Sequence, residues 1–411
     1  MRKGIQVVLN IVIIACSLAV FAQNSSLKKG SVNGKNYYEE IEFEFEKNKI
    51  IIPVEIEDKT YRFLLDTGAP NIISYEVFKA IQPKVITTIP TNDANRKKQN
   101  LDVVSVESLK LGKTEFVNST ALVYDLNGSE IFKCFGIDGF IGSNLLRNSI
   151  LQINAEEQLI KLTDKSKRLE LDRKTSIKLK LVGNQSSPYV WIQIKGKEAG
   201  REMVLIDTGM GGLYDISRNH YNIFKSKEIF NEIGQSDGAS SVSLFGEVPV
   251  NNQLRLHVPK LIINNFEINN CVTHTTKDDN SKIGAELLNY GVMTIDFRNK
   301  RFYFKPKTKS YDINTPHLGY TQTIKSNKIV IGYVWDEELQ KLINYGDEIL
   351  SVNGEEVTAD KLCDYITKTS KTEALKQIEL KVKSANGQIV DISASKKELT
   401  EILDNFNIKQ N

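Results

Sequence analysis

The chain has 411 residues, of which 40% are hydrophobic and 26% are charged, and its formal net charge is +3. This length is too great for a single core and predicts two or three domains, whereas the near balance of charge gives no reason to expect a nucleic-acid partner. The sequence contains no G-x-x-x-x-G-K-[ST] loop, G-x-S-x-G elbow or H-E-x-x-H motif. These absences argue against the commonest nucleotide-binding, serine-hydrolase and zinc-protease classes, and we expect neither a metal nor a cofactor.

The N-terminus has the pattern of a signal peptide over residues 1–22. Arg2 and Lys3 precede an apolar stretch over residues 5–21, and Val20 and Ala22 are small residues at the two positions that a signal peptidase reads. We therefore expect export to the periplasm or the extracellular space, with no transmembrane segment left after cleavage. A retained anchor is one alternative. Lipidation of Cys16 is another, but apolar residues continuing past it argue against a lipoprotein tether.

Three cysteines follow the signal segment: Cys134, Cys271 and Cys363. This odd number allows at most one disulfide, so no disulfide framework is expected to specify the fold. Whether Cys134 and Cys271 pair is left open by the sequence.

The most informative feature of the chain is an Asp-Thr-Gly triplet that occurs twice. Each copy ends an apolar run typical of a strand, residues 61–65 before the first and residues 203–206 before the second. The triplet residues are Asp66, Thr67, Gly68, Asp207, Thr208 and Gly209. Two carboxylates in matching contexts predict an acid pair that could activate water without a metal or a nucleophile.

The segments around the triplets repeat in register. An Ile-Gly pair follows the first aspartate by 75 residues, at Ile141, and the second by 76 residues, at Ile283. A strand-like segment begins twelve residues after each of these isoleucines, and strands over residues 49–56 and 189–194 are predicted upstream. Ser74 and Ser217 are each predicted to cap a short helix. The repeat predicts two equivalent lobes, over residues 36–168 and 172–308.

These two lobes resemble the aspartic proteases, combining the two-lobed chain of pepsins with a retropepsin-like first triplet. The resemblance covers about residues 45–306 and implies acid-protease-like β-barrel lobes related by a pseudo-twofold axis. It also implies that Asp66 and Asp207 share one proton, that the charged carboxylate activates a water, and that the protonated one donates to the scissile carbonyl. Thr67, Gly68, Thr208 and Gly209 would support the active-site loops. Peptides or proteins would be the substrates.

Two departures from the family pattern lie in the second lobe. Lys282 stands where the first lobe has the apolar Phe140, and Met210 follows the second triplet. In pepsin-like relatives a Ser or Thr after the triplet can hydrogen-bond the carboxylate, but Ala69 and Met210 offer no hydroxyl. We therefore expect the pair to titrate higher than in pepsin, with activity at mildly acidic to neutral pH. An inactive second lobe is the alternative.

A mobile hairpin covers the substrate in this family, and both lobes offer a candidate. Residues 91–99 are polar and lack glycine, whereas residues 234–246 contain several glycines. The sequence does not choose between these segments, and either is equally well explained as a surface loop.

The remaining residues resemble a PDZ domain over residues 312–400, a small α+β fold. Residues 346–354 match the G-D-x-I-L-x-V-N-G signature of that family. The resemblance implies that Leu318, Gly319 and Tyr320 form a carboxylate-binding loop, that residues 359–369 form the helix beside the groove, and that C-terminal peptides are partners. Alternatively, this domain only packs on the protease, and Tyr320 filling the groove would be a sign of that.

Two alternatives to a single-chain enzyme follow from the same residues. The chain could be an inactive peptide-binding protein that uses a protease-like surface and a PDZ groove, although the presence of both complete triplets favours the enzyme. The dyad could also form between two chains, each triplet pairing with its equivalent. Covalent linkage of the lobes favours pairing within the chain.

Overall fold

The computed structural model describes residues 26–239, 242–368 and 374–410. The predicted signal peptide over residues 1–22 and Cys16 lie outside these ranges. The described chain is mainly β, as the sequence predicted, with 32 strands and a few short helices. Among the residues in these ranges, no helix is long and apolar enough to cross a membrane.

The first half of the chain forms a nine-stranded sheet in the order β1-β9-β6-β10-β5-β4-β8-β7, with β3 paired to β4. Its helices are α1 (Tyr75–Ile81), α2 (Glu130–Phe135) and α3 (Ser143–Leu146). Its strands, including β2, β11 and β12 outside this sheet, are β1 (Ser31–Asn33), β2 (Tyr38–Glu42), β3 (Glu44–Glu46), β4 (Lys49–Ile56), β5 (Lys59–Asp66), β6 (Ile72–Ser74), β7 (Lys84–Asn92), β8 (Lys98–Leu111), β9 (Thr114–Tyr124), β10 (Gly139–Gly142), β11 (Ile150–Asn154) and β12 (Leu159–Thr163).

The second half forms another nine-stranded sheet, in the order β14-β15-β16-β23-β17-β22-β21-β18, with β26 paired to β22. One α-helix, α4 (Arg218–Phe224), follows β17. The strands of this half are β13 (Ile177–Lys178), β14 (Lys180–Val182), β15 (Ser187–Lys195), β16 (Ala199–Ile206), β17 (Tyr214–Ser217), β18 (Asn231–Gly238), β19 (Val242–Ser243), β20 (Gly246–Glu247), β21 (Asn251–Ile263), β22 (Phe266–Thr276), β23 (Lys282–Ile283), β24 (Gly291–Asp296), β25 (Arg301–Pro306) and β26 (Ser310–Asp312).

A six-stranded sheet joins the two halves, in the order β13-β25-β24-β11-β12-β2. Its central pair is antiparallel and brings Ile150 of the first half opposite Asp296 of the second. A single cluster of buried apolar side chains continues from one half into the other, for example from Ile153 to Met293. Because this burial is shared, the two halves hold each other in place around the triplets.

The two predicted serine caps have different outcomes. The hydroxyl of Ser74 accepts a hydrogen bond from the backbone N–H of Val77 at 3.2 Å and caps α1. The prediction for Ser217 was wrong, because its side chain makes no capping bond to α4. Its backbone N–H instead donates to the hydroxyl of Ser281, which ties the start of α4 to the segment before β23.

The last part of the chain forms a separate sheet with its own apolar core. The strand order is β27-β28-β29-β31-β32, with β30 paired to β29. The elements are β27 (Tyr320–Lys325), β28 (Lys328–Val334), α5 (Glu337–Gln340), β29 (Glu348–Val352), β30 (Glu355–Glu356), α6 (Leu362–Thr367), β31 (Gln377–Lys383), β32 (Ile389–Ser395) and α7 (Leu399–Gln410). Asn353 and Gly354 turn between β29 and β30 with positive φ angles, the geometry that an Asn-Gly turn favours.

One disulfide joins this C-terminal domain to the first half. Cys134 in α2 is bonded to Cys363 in α6, across 229 residues of sequence. Cys271 is buried and free, so it is not the partner of Cys134. The bridge fastens α6, the helix expected beside the peptide groove, against the first half of the chain.

Candidate active site

Two equivalent strand arrangements deliver the two aspartates. In the first half β5 ends at Asp66 and pairs in parallel with β10, so that Ile141 lies beside Leu65. In the second half β16 ends just before Asp207 and pairs in parallel with β23, so that Ile283 lies beside Ile206. The spacing of 75 and 76 residues thus corresponds to the same strand pairing in both halves.

Thr67 and Thr208 bind each other's loops between the halves. Both side chains are fully buried. The hydroxyl of Thr67 donates to the carbonyl of Ile206 at 2.7 Å, and the hydroxyl of Thr208 donates to the carbonyl of Leu65 at 2.7 Å. Each hydroxyl also accepts from the other threonine's backbone N–H, at 3.0 and 3.1 Å. These reciprocal bonds fix the position of one triplet relative to the other.

Backbone amides orient both carboxylates. One oxygen of Asp66, Oδ1, accepts from the N–H groups of Gly68 and Ala69, both at 3.0 Å. The corresponding oxygen of Asp207 accepts from Gly209 and Met210 at 3.1 and 3.3 Å. The second oxygen of each carboxyl remains for a partner other than its own loop.

The carboxyls lie at the boundary of the two halves, near enough for each to shift the pKa of the other. Each also lies against the glycine of the opposite triplet. A β-carbon on Gly68 would lie 2.5 Å from the carboxyl carbon of Asp207, and one on Gly209 would overlap the carboxyl of Asp66. The structure therefore brings all six triplet residues together in one site within one chain.

A lysine from the second half binds Asp207 directly. The Nζ atom of Lys282 lies 3.0 Å from Oδ2 of Asp207 and 2.9 Å from Oδ2 of Asp278. Its side chain is only 15% exposed. The sequence marked this residue as a departure from the apolar pattern but gave no indication of its partners.

Two further contacts between the halves involve the carbonyls of the triplet glycines. Lys49, at the start of β4, donates to the carbonyl of Gly209. From the other half, the side-chain amide of Gln185 donates to the carbonyl of Gly68 at 2.8 Å. Sequence reasoning missed Lys49, Gln185 and Asp278, and no motif in the sequence distinguishes them from other polar residues near strand ends.

The two carboxyls differ in their pKa values. Burial and the neighbouring charge of Asp207 together raise the pKa of Asp66 to about 7, against the opposing effect of the two lysines. Burial acts in the same direction on Asp207, but the charge and hydrogen bond of Lys282 outweigh it and lower the pKa of that carboxyl. The expected upward shift thus applies to Asp66, and Lys282 is the reason that Asp207 departs from it.

The two predicted flap segments touch each other. Residues 91–99 form the tip of the β7–β8 hairpin, where Lys97 donates to the backbone carbonyl of Phe245 in the other segment at 3.4 Å and to that of Glu247 just beyond it. Phe245 returns a bond from its N–H to Asp93 at 3.4 Å. The hairpin tip also forms an ion pair between Arg96 and Asp279, the neighbour of the aspartate that binds Lys282.

The predicted carboxylate-binding loop leads into β27. The carbonyl of Leu318 accepts from Arg255 at 3.1 Å, and that of Gly319 accepts from the backbone N–H of Asp336 at 3.0 Å. A β-carbon on Gly319 would overlap the side chain of Asp336. Tyr320 is 3% exposed and belongs to the apolar core of the domain. Gly319 is thus required for packing against Asp336, whatever the loop binds.

The family comparison agrees with the first half of this site. Residues 52–145 match the aspartyl protease family. This match includes Asp66 and its whole triplet, together with β10 and the beginning of α3. No curated protein matches the chain. Among the described residues, no group of three or more His, Cys, Asp or Glu side chains could hold a metal ion.

Several solved structures of aspartic proteases and related proteins are similar to the chain. A retropepsin-like aspartic protease from Rickettsia conorii is 18% identical, with 32% of this chain and 94% of that chain covered and a TM-score of 0.23. An aspartic proteinase from Irpex lacteus is 13% identical, with 66% and 97% covered and a TM-score of 0.40. Basic 7S globulin from soybean is 8% identical, with 67% and 96% covered and a TM-score of 0.39.

Proposed function

We propose that this chain is an aspartic endopeptidase whose dyad is Asp66 and Asp207. The observation that carries the proposal is the close placement of the two carboxyls, each lying against the glycine of the opposite triplet and held by backbone amides at the end of an equivalent strand. A structural pair of acids would gain nothing from such a placement, because like charges at this distance oppose each other. A dyad that shares one proton gains a base and an acid in the same place.

The protonation states suggest which carboxyl acts as the base and which acts as the acid. Asp207, ionised beside Lys282, removes a proton from a water held between the carboxyls. Asp66, protonated, donates its proton to the carbonyl oxygen as the water oxygen bonds to the peptide carbon. Asp207 then returns its proton to the leaving nitrogen, the C–N bond breaks, and the diol hydroxyl returns a proton to Asp66.

We assign the covering role to the β7–β8 hairpin. Its tip contacts the second half through the ion pair of Arg96 with Asp279. The adjacent Asp278 binds Lys282, the lysine that also contacts Asp207. A polypeptide substrate that is longer than the site requires a cover that opens. When the hairpin opens, the bonds of Lys97 to the carbonyls of Phe245 and Glu247 would have to break. This arrangement favours extended peptide segments within unfolded proteins as substrates.

We further propose that the protein is exported and that its C-terminal domain binds the free C-termini of peptides. The signal-like residues 1–22 and the Cys134–Cys363 disulfide both suit an oxidising compartment.

The strand β27 is at the end of its sheet, where a peptide could add as a further strand. Calorimetric titration should detect peptides with a free C-terminal carboxylate and not their amidated counterparts. Equal binding of both forms would contradict this assignment.

A pepstatin-like inhibitor tests the enzyme proposal. We expect it to raise the melting temperature of the wild-type protein but not of Asp66→Asn or Asp207→Asn. Asp58→Asn is the matched control, because Asp58 is an exposed turn residue with a positive φ that asparagine accepts. If the wild type ignores the inhibitor and cleaves no denatured protein between pH 3 and 8, a peptide-binding role replaces the enzymatic one.

A further inference from the structure

Lys282 occupies a position that is apolar in the first half of the chain. The equivalent residue in β10 is Phe140, which is 3% exposed and packs edge-on against Phe132 with ring centroids 5.2 Å apart. In β23, by contrast, Lys282 extends to Asp207. The second half therefore places a cation beside its aspartate, whereas the first half has an aromatic ring at the equivalent strand position.

The charges around the dyad balance only if one carboxyl is protonated. Three carboxyls lie in the group, those of Asp66, Asp207 and Asp278, and two amines, those of Lys49 and Lys282. Two ionised carboxylates match two ammonium groups, so the third carboxyl carries the proton. Burying a further unpaired charge in this position would be costly.

The proton belongs on Asp66 because of where the amines lie. Lys282 bonds to both Asp207 and Asp278, and its charge lowers the pKa of Asp207. Lys49 bonds to the carbonyl of Gly209 and acts on the pair only through its charge. Tyr189, a further titratable group near this cluster, donates its hydroxyl to Asn280, and burial raises its pKa. Asp66 is the carboxyl without a lysine bonded to it.

We propose that Lys282 is a positioning residue that keeps Asp207 ionised and thereby assigns the single proton of the dyad to Asp66, an inference that rests on the proposed function. It also supplies, on the Asp207 side, a side-chain hydrogen-bond donor, which the thioether side chain of Met210 cannot provide. The identity of base and acid is then fixed before substrate binds. In a symmetric pair the proton could lie on either carboxyl.

Carboxyl titration followed by NMR tests the proposal directly. With 13C-labelled aspartate carboxyls, the signals of Asp66 and Asp207 are assigned from their loss in Asp66→Asn and Asp207→Asn. In the wild type Asp207 should titrate at lower pH than Asp66. In Lys282→Leu, whose side chain is apolar like the equivalent Phe140, the Asp207 midpoint should rise by about one pH unit or more. Lys282→Arg keeps the cation and should keep the wild-type order.

The outcomes separate this proposal from the enzymatic one. An Asp207 signal that titrates above that of Asp66 in the wild type overturns the inference, and this result needs no variant of Lys282 to fold. An Asp207 midpoint that does not rise in a folded Lys282→Leu also overturns it. If the order behaves as expected but no peptide is cleaved at any pH, the proton assignment stands and the proposed function fails. Where cleavage is measurable, the acid limb of the pH profile should move upward in Lys282→Leu only.

Discussion

The backbone N–H of Thr67 donates to the hydroxyl of Thr208 at 3.0 Å, and the N–H of Thr208 donates to the hydroxyl of Thr67 at 3.1 Å. This exchange takes place in a fully buried position between the two halves of the chain. It makes the geometry of the acid pair depend on two residues that carry no charge. The position of one carboxyl relative to the other therefore depends on these threonine hydrogen bonds.

Replacing either threonine by valine should destabilise the protein. In Thr67→Val the carbonyl of Ile206 and the N–H of Thr208 lose their buried partner, and we expect a cost of about 2–4 kcal/mol. Thr67→Ser keeps the hydroxyl and should lose only about 1 kcal/mol for the missing methyl group. Chemical denaturation measures both. A valine variant as stable as the serine variant would show that the bonds contribute nothing.

Gly68 and Gly209 should tolerate no side chain. A β-carbon on Gly68 would lie 2.5 Å from the carboxyl carbon of Asp207, so Gly68→Ala must displace that carboxylate. We expect a fall in kcat of roughly 100-fold or more in a folded protein. Gly128→Ala is the control, because the nearest atom to its β-carbon beyond the adjoining backbone would be a carboxyl oxygen of Asp125, at 3.8 Å. Equal activity of the two variants would contradict the close approach of the triplets.

The stability of Asp66→Asn relative to the wild type should depend on pH. The folded protein raises the pKa of Asp66 from 3.8 to about 7, so charging this carboxyl costs folding free energy. The cost is absent below pH 4, grows between pH 4 and 7, and is complete above pH 7. Asparagine removes it, so the melting temperature of the variant should gain roughly 5 °C on the wild type between pH 4 and 8.

Asp207→Asn should show the opposite sign. The pKa of Asp207 is lowered by Lys282, and its charge therefore contributes stability above pH 4 that is lost at lower pH. The asparagine variant should be less stable than the wild type at pH 7, and the difference should shrink on acidification. Differential scanning calorimetry across this pH range checks both variants. A difference from the wild type that does not change with pH would contradict the assigned charge states.

Reducing the Cys134–Cys363 bridge should destabilise the protein, since it closes a loop of 229 residues. We expect a loss on the order of 3–5 kcal/mol, seen as a lower melting temperature in dithiothreitol. A Cys134→Ser, Cys363→Ser double variant should already melt at the lower temperature and should not respond to the reductant. A response of the double variant equal to that of the wild type would assign the effect to another group.

The sequence predicted those parts of the structure that depend on local pattern and repetition. The Ile-Gly pairs at Ile141 and Ile283 indicated equivalent neighbours for the two triplets, because the same spacing allows the same parallel strand pairing. The strand over residues 49–56 follows from its β-branched content and has the predicted bounds. The mainly β character of the chain could therefore be predicted from the sequence.

Other features depend on contacts between residues far apart in the chain. The bond of Lys49 to Gly209 spans 160 residues, and nothing near Lys49 in the sequence indicates it. The choice of Cys363 as the partner of Cys134 follows from the docking of one helix on another. The start of the helix after Ser217 is held in a similar way, because the backbone N–H of Ser217 donates to the hydroxyl of Ser281, 64 residues along the chain. Lys282 could be recognised as unusual, but its role required its distance to Asp207.

The rate at which the protein cleaves a denatured protein measures directly whether Asp66 and Asp207 together hydrolyse peptide bonds. Wild type and Asp58→Asn should cleave at the same rate at mildly acidic to neutral pH. Asp66→Asn and Asp207→Asn should each lose activity by roughly 1000-fold or more while remaining folded, because either change removes the base or the acid of the pair. Cleavage at the wild-type rate by either asparagine variant would show that Asp66 and Asp207 are not the catalytic dyad.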